Sequence, residues 1–188
     1  MKLRDQNTAL LLIDLQKGFK EEEHWGGNRN NKDAEEKCET LLHKWRALEL
    51  PIYHIIHSSQ DPNSKLHKSH PGFEIMDFAK PINDEPLLIK EVNSGFIGTN
   101  LEEQLRKNNI NKLVIVGLTT NHCISTTTRM AGNLGFDTIL VADATATFDR
   151  IGLNGVVFSA ETIHQTALAS LNEEFAEVIN TEEVLSRV

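Results

Sequence analysis

Lys112–Asp143 reads KLVIVGLTTNHCISTTTRMAGNLGFDTILVAD. KLVIVG (112–117) is a short, continuously apolar run, the pattern of a strand covered on both faces. From about Asn121 to Leu134 the chain reads as a helix closed by Gly135, and DTILVAD (137–143) is a second apolar run. Strand, helix, strand is a crossover unit, and crossovers of this kind join parallel strands.

The same alternation continues on either side. TALLLID (8–14), PIYHIIH (51–57), PLLIK (86–90) and AEVIN (176–180) read as further strands. Helices are expected over 34–50, 98–109 and 159–175, with a last short one capped by Thr181. In the first of these, Ala34, Cys38, Leu41, Leu42, Trp45 and Leu48 share one face, so Cys38 reads as a small core residue. Thr99 and Glu102 stand at capping-box spacing, which makes Thr99 the expected N-cap of the second. The whole predicts an α/β fold: a three-layer α/β/α sandwich on a six-stranded parallel sheet. Residues 58–80 read as a long polar loop.

With 188 residues there is enough chain for one domain, 1–188, with a sizeable core. The net charge of −8 argues against a nucleic-acid-binding surface. Two cysteines imply no disulfide framework and point to a reducing cytoplasm. The apolar run Ala9–Ile13 is too short for a signal segment, and nothing reaches the length of a membrane span.

In parallel α/β sheets the chemistry lies at the carboxyl ends of the strands. Asp14 ends the first run, Lys90 ends PLLIK, and Cys123 lies just past KLVIV. A single charge at a strand end is ordinary emergence into water. Three different reactive groups at the same edge form a candidate nucleophilic site. A helix N-terminus and a nearby ammonium both favour a thiolate. Asp14 is placed to take the thiol proton and return it to a leaving amine, with Lys90 holding the ion pair. Thr119, Thr120, Asn121 and His122 are too polar to be core filling around the cysteine.

LLLIDLQKGF, LIKEVNSGFIGTNLEEQL and VIVGLTTNHCISTTTRMAGNLGFDTILVADAT, in this order and spacing, resemble the isochorismatase-like cysteine hydrolases. That superfamily includes nicotinamidases and N-carbamoylsarcosine amidohydrolases. The resemblance implies a strand order 3-2-1-4-5-6 and a catalytic set Asp14, Lys90 and Cys123. It implies a cis peptide at Thr119–Thr120 and an oxyanion hole from the N–H groups of Thr120 and Cys123. Around the substrate it places Phe19, His57, Phe73, Phe96, Thr119 and His122; for Phe73, core packing is an equally good reading. The expected reaction is cleavage of a C–N bond in a small amide or carbamoyl compound through a Cys123 thioester, with no cofactor. The presence of Cys123 argues against isochorismate cleavage, whose enzymes lack that cysteine.

Nicotinamidases carry a metal in the loop after the second strand, on an Asp-x-His pattern. Here Asp61 is followed two places on by Asn63, not His, so no metal is expected, although His57, His67 and His70 keep a metal-binding nicotinamidase open. A non-catalytic binding protein on the same fold and a redox role for Cys123 also stay open. Trp25, in the glycine loop HWGG (24–27), is a candidate to cover the site or to meet another subunit. Family members are commonly oligomeric, so a homodimer or homotetramer acting on a small-molecule amide is expected, with no nucleic-acid or membrane partner.

Overall fold

The computed structural model describes residues 2–188. Six strands form one parallel sheet: β1 (Ala9–Ile13), β2 (Ile52–His57), β3 (Leu87–Lys90), β4 (Lys112–Leu118), β5 (Asp137–Ala146) and β8 (Glu177–Ile179). Their order is β3-β2-β1-β4-β5-β8, the arrangement implied by the resemblance. The last strand is the eighth in chain order because an antiparallel hairpin, β6 (Arg150–Ile151) and β7 (Val157–Phe158), intervenes.

A single helical turn, α1 (Glu22–Trp25), follows β1 in the chain. The longer helices cover both faces of the sheet. On one face, Ala9, Leu11 and Ile13 of β1 and Leu113 and Ile115 of β4 pack with three helices. These are α3 (Leu101–Lys107), α4 (Ser125–Asn133) and α5 (Ala160–Leu171). On the other, Leu10, Leu12, Val114 and Val116 pack against α2 (Ala34–Ala47) and α6 (Thr181–Arg187). All five residues of β1 are buried, and each large apolar side chain so covered is worth about 1.5–3 kcal/mol. Trp45 is wholly buried, and its indole N–H donates to the Thr8 carbonyl at 3.0 Å. Cys38 is a core residue whose thiol burial pushes up. No helix among the described residues is long and apolar enough to cross a membrane.

Three local expectations are corrected. Helix α3 begins at Leu101 with Asn100 at the N-cap position but making no side-chain cap bond; the Thr99 hydroxyl, one residue earlier, accepts from the Leu101 N–H at 3.3 Å and donates to the Gly95 carbonyl. Asn180, not Thr181, caps α6, in a capping box with Glu183. The cis peptide is Leu118–Thr119, not Thr119–Thr120. β4 runs one residue beyond the expected Gly117, to Leu118. Before α4 the segment Thr120–Ile124 forms a wide π-turn that carries the nucleophile candidate. The polar loop after β2 contains two 3₁₀ turns, Pro71–Phe73 and Asp77–Ala79.

Gly117 brings β4 against β1. Its φ is +122°, and a Cβ there would overlap the carbonyl oxygen of Ile13. The close pass sets the end of β4 beside the end of β1, where Asp14 begins.

Candidate active site

Asp14 follows β1 in a left-handed conformation, φ +53°, which aspartate tolerates better than most residues. Lys90 is the last residue of β3, two strands away. In register, His57 of β2 stands beside Lys90, so the lysine stem passes over the middle strand to reach Asp14. Lys90 Nζ donates to Asp14 Oδ2 at 2.8 Å and to Cys123 Sγ at 3.2 Å. It also lies 3.1 Å from His57 Nδ1. Asp14 is 0% exposed, Lys90 1% and Cys123 8%. The structure thus brings together the three reactive residues read from the strand ends, with His57 as a fourth member.

The pairing fixes the protonation of the cluster. Burial lowers the affinity of the Lys90 amine for its proton, but Asp14 and Cys123 outweigh burial and hold it above the usual lysine range. Burial, then Lys90, pushes the His57 imidazole below its ordinary value. A neutral ring accepts from the ammonium at Nδ1. Burial, followed by the Asp14 carboxylate, raises the Cys123 thiol; Lys90 opposes this and loses. Desolvation thus works against the thiolate that the ammonium favours, and this direction keeps the proton on sulfur until Asp14, the expected base, takes it. The base is adjacent. Asp14 Oδ1 is buried with no hydrogen-bond partner, an expensive arrangement unless the oxygen has work to do with a proton.

A cavity of about 190 Å³ opens over Cys123. Phe19, Trp25 and Leu66 form its apolar wall; His57, Asn93, Thr119 and His122 supply polar edges, with Ser59 and Ser64 on the loop side. The Trp25 ring lies 4.7 Å from Phe19 and is anchored by its indole N–H on the Gly18 carbonyl at 2.9 Å. Trp25 is thus a wall of the site.

Of the pocket residues expected from sequence, Phe19, His57, Thr119 and His122 line this cavity, and Phe73 and Phe96 do not. Phe96 turns into the core and stacks on Phe136 at 5.8 Å. Phe73 follows the His70 cap in a 3₁₀ turn, and its carbonyl accepts from Gln16 Nε2 at 2.9 Å. Thr120 is fully buried, and its hydroxyl meets His164 Nδ1 at 2.9 Å; Thr119 is the threonine at the cavity. Asn93, whose Oδ1 lies 3.8 Å from the sulfur, carries no signal in the sequence beyond following Lys90 by three positions.

A metal does not fit the residues present. His67 Nδ1 bonds Ser69 at 2.7 Å, and His70 Nδ1 accepts from the Gly72 N–H. Among the described residues, the one group with metal-binding geometry is Asp14, His57 and Cys123. The Lys90 ammonium contacts all three, and so takes the position a cation would need.

This fold and cluster belong to a recognisable class. Residues 8–183 match the isochorismatase domain model. YrdC, an isochorismatase family protein of Bacillus subtilis (strain 168), is 46% identical over 182 residues, 97% of this chain and 96% of its own. A crystal structure from Chromobacterium violaceum ATCC 12472, assigned to the isochorismatase family of hydrolases, superposes with a TM-score of 0.91 at 39% identity. That match covers 96% of this chain and 92% of the other. Nicotinamidase 3 of Arabidopsis thaliana is 25% identical over 197 residues, 96% of this chain and 90% of its own. The chain belongs to the isochorismatase family and is an isochorismatase-like hydrolase.

Proposed function

We propose that the protein is a cysteine amidohydrolase that cleaves the C–N bond of a small amide or carbamoyl compound through a thioester on Cys123. The observation that carries this reading is the buried contact of Asp14, Lys90 and Cys123 under a small cavity, with Asp14 Oδ1 unpartnered. A binding protein has no use for a buried carboxylate held beside a thiol. A redox role lacks a resolving partner, because Cys38 is a core residue on the α2 side of the sheet and Cys123 packs on the other. The similarity to a nicotinamidase, an enzyme named for an amide, favours the same bond type.

As Cys123 Sγ attacks the carbonyl carbon, Asp14 takes the thiol proton. The carbonyl oxygen becomes an oxyanion, received by backbone N–H groups at the nucleophile turn. Cys123 is one donor proposed, and Thr119 replaces the expected Thr120 as the other, since Thr119 lines the cavity and Thr120 is wholly buried. Collapse of the adduct breaks the C–N bond, and Asp14 hands the proton to the departing ammonia or amine. A thioester remains. Asp14, again a carboxylate, takes a proton from water, the hydroxide attacks the thioester, and the proton returns to sulfur. Lys90 keeps its charge throughout and stabilises the thiolate-like sulfur in both steps. The cavity of about 190 Å³ lies below the usual range for drug-sized ligands, which supports a small substrate.

The test is a panel of small amides and carbamoyl compounds assayed for ammonia release, repeated with hydroxylamine present. Ammonia release with diversion of the acyl group into a hydroxamate supports the thioester. Ammonia release with no hydroxamate at any hydroxylamine concentration contradicts it.

A further inference from the structure

The chain has seven arginines. Arg4, Arg29, Arg46, Arg106 and Arg187 each pair with a carboxylate, and Arg129 lies over the Phe175 ring. Arg150 does neither among the described residues. It opens the β6–β7 hairpin, half-buried, and its Nε is buried with no partner. The neighbouring Asp149 is engaged elsewhere, accepting from the Ala160 N–H at 2.7 Å and from Asn28 Nδ2 at 3.1 Å. A guanidinium drawn partly out of water without a counter-charge is costly unless a ligand supplies one.

Arg150 points to the cavity through one residue. Its Nη2 donates to His122 Nδ1 at 3.3 Å, and His122 lines the cavity next to Cys123. A guanidinium donating to Nδ1 leaves no place for a proton there, and desolvation, then Arg150, lowers the tendency of the ring to take a second proton. The imidazole therefore carries its hydrogen on Nε2, as a donor backed by a positive charge. The other cation at the site, Lys90, is already neutralised by Asp14. The unspent positive charge beside the cavity is that of Arg150.

We infer that the substrate is anionic: an amide or carbamoyl compound bearing a carboxylate, received by His122 with the guanidinium of Arg150 behind it. His122 touches the ligand; Arg150 is a positioning residue that sets the tautomer and supplies the charge. The inference names the substrate class of the proposed amidohydrolase site and so rests on that site being where substrate binds.

Binding, measured without turnover, separates this from the reaction itself. Succinamate and succinamide have the same shape and differ in one carboxylate against one amide. Both are titrated calorimetrically into the Cys123→Ala protein. Succinamate is expected to bind about 10–100-fold more tightly, as charge-assisted hydrogen bonds allow. Arg150→Met, which keeps the stem, should abolish that preference, and Arg150→Lys should retain part of it. The preference should shrink with added salt in the unmutated hairpin, a readout that stands if Arg150→Met fails to fold. Equal affinities, no binding of succinamate, or a preference that survives Arg150→Met would each overturn the inference. None of these outcomes touches ammonia release from neutral amides, which tests the reaction.

Discussion

Asp14, Lys90 and Cys123 depend on one another. With Lys90 removed, the Asp14 carboxylate would stay buried beside an unpartnered oxygen. Breaking one side of such a pair typically costs about 3–5 kcal/mol. Lys90→Met is expected to lower the urea midpoint accordingly and to remove turnover; a fully stable variant would contradict the burial of the pair. His57 couples the cluster to pH. Its imidazole must be neutral to accept from the ammonium 3.1 Å away, and burial and Lys90 hold its pKa below the ordinary value. Activity should therefore persist below pH about 6.5 and fall only as His57 takes a proton at lower pH. In His57→Gln the acidic limb of the rate profile should move, and an unchanged limb would remove His57 from this role. Asp14 and Lys90 are legible in sequence because each ends an apolar run, and Cys123 because it follows one behind a polar turn. The contact of His57 with Lys90 is not, because it follows from strand register. The inward turn of Phe96 onto Phe136 is equally hidden, since an aromatic after a loop glycine can face either way.

The elements that build the site are readable by period, and their ends are not. β1, β2 and β4 match continuous apolar runs, because strands buried on both faces need such runs. The hairpin 150–158 leaves no such trace. Its strands have two residues each, and Ile151, Leu153, Val156 and Val157 are exposed, so no alternation with a core face marks them. Yet this hairpin carries Arg150. The π-turn at Thr120–Ile124 is also invisible to helical periodicity, since it differs from an α-turn by one hydrogen-bond step. Gly117 is the element-level constraint with the clearest consequence. Gly117→Ala combines an unfavourable positive φ with overlap on Ile13. It is expected to destabilise by roughly 2 kcal/mol or more, read by chemical denaturation. A neutral substitution would show that β1 and β4 can separate without loss.

Across the molecule, four histidines give stability a common pH dependence: His54 and His164 are buried, His57 is half-buried, and His122 lies exposed at the cavity edge. His54, His57, His122 and His164 all have pKa values lowered in the folded state, with burial the first cause in each. Between the unfolded value of about 6.5 and the lower folded values, the unfolded chain binds more protons. Stability is therefore fully present above that value and declines as pH falls through the window. Melting temperature should hold between pH 7.5 and about 6.5 and drop below that, and a profile flat down to pH 5.5 would contradict the lowered values of these rings. Chelators should leave both stability and turnover unchanged, because Lys90 holds the cation position among Asp14, His57 and Cys123.

The central claim is that Cys123 is the nucleophile, and ammonia release by Cys123→Ala tests it most directly. On any amide that the unmutated protein hydrolyses, the variant should keep its melting temperature and lose turnover by more than the 10²–10³-fold typical of removing one oxyanion donor. Cys123→Ser should be nearly as slow, since Asp14 is a weak base for a hydroxyl. Ammonia release by Cys123→Ala at a rate within tenfold of the unmutated protein would contradict the account.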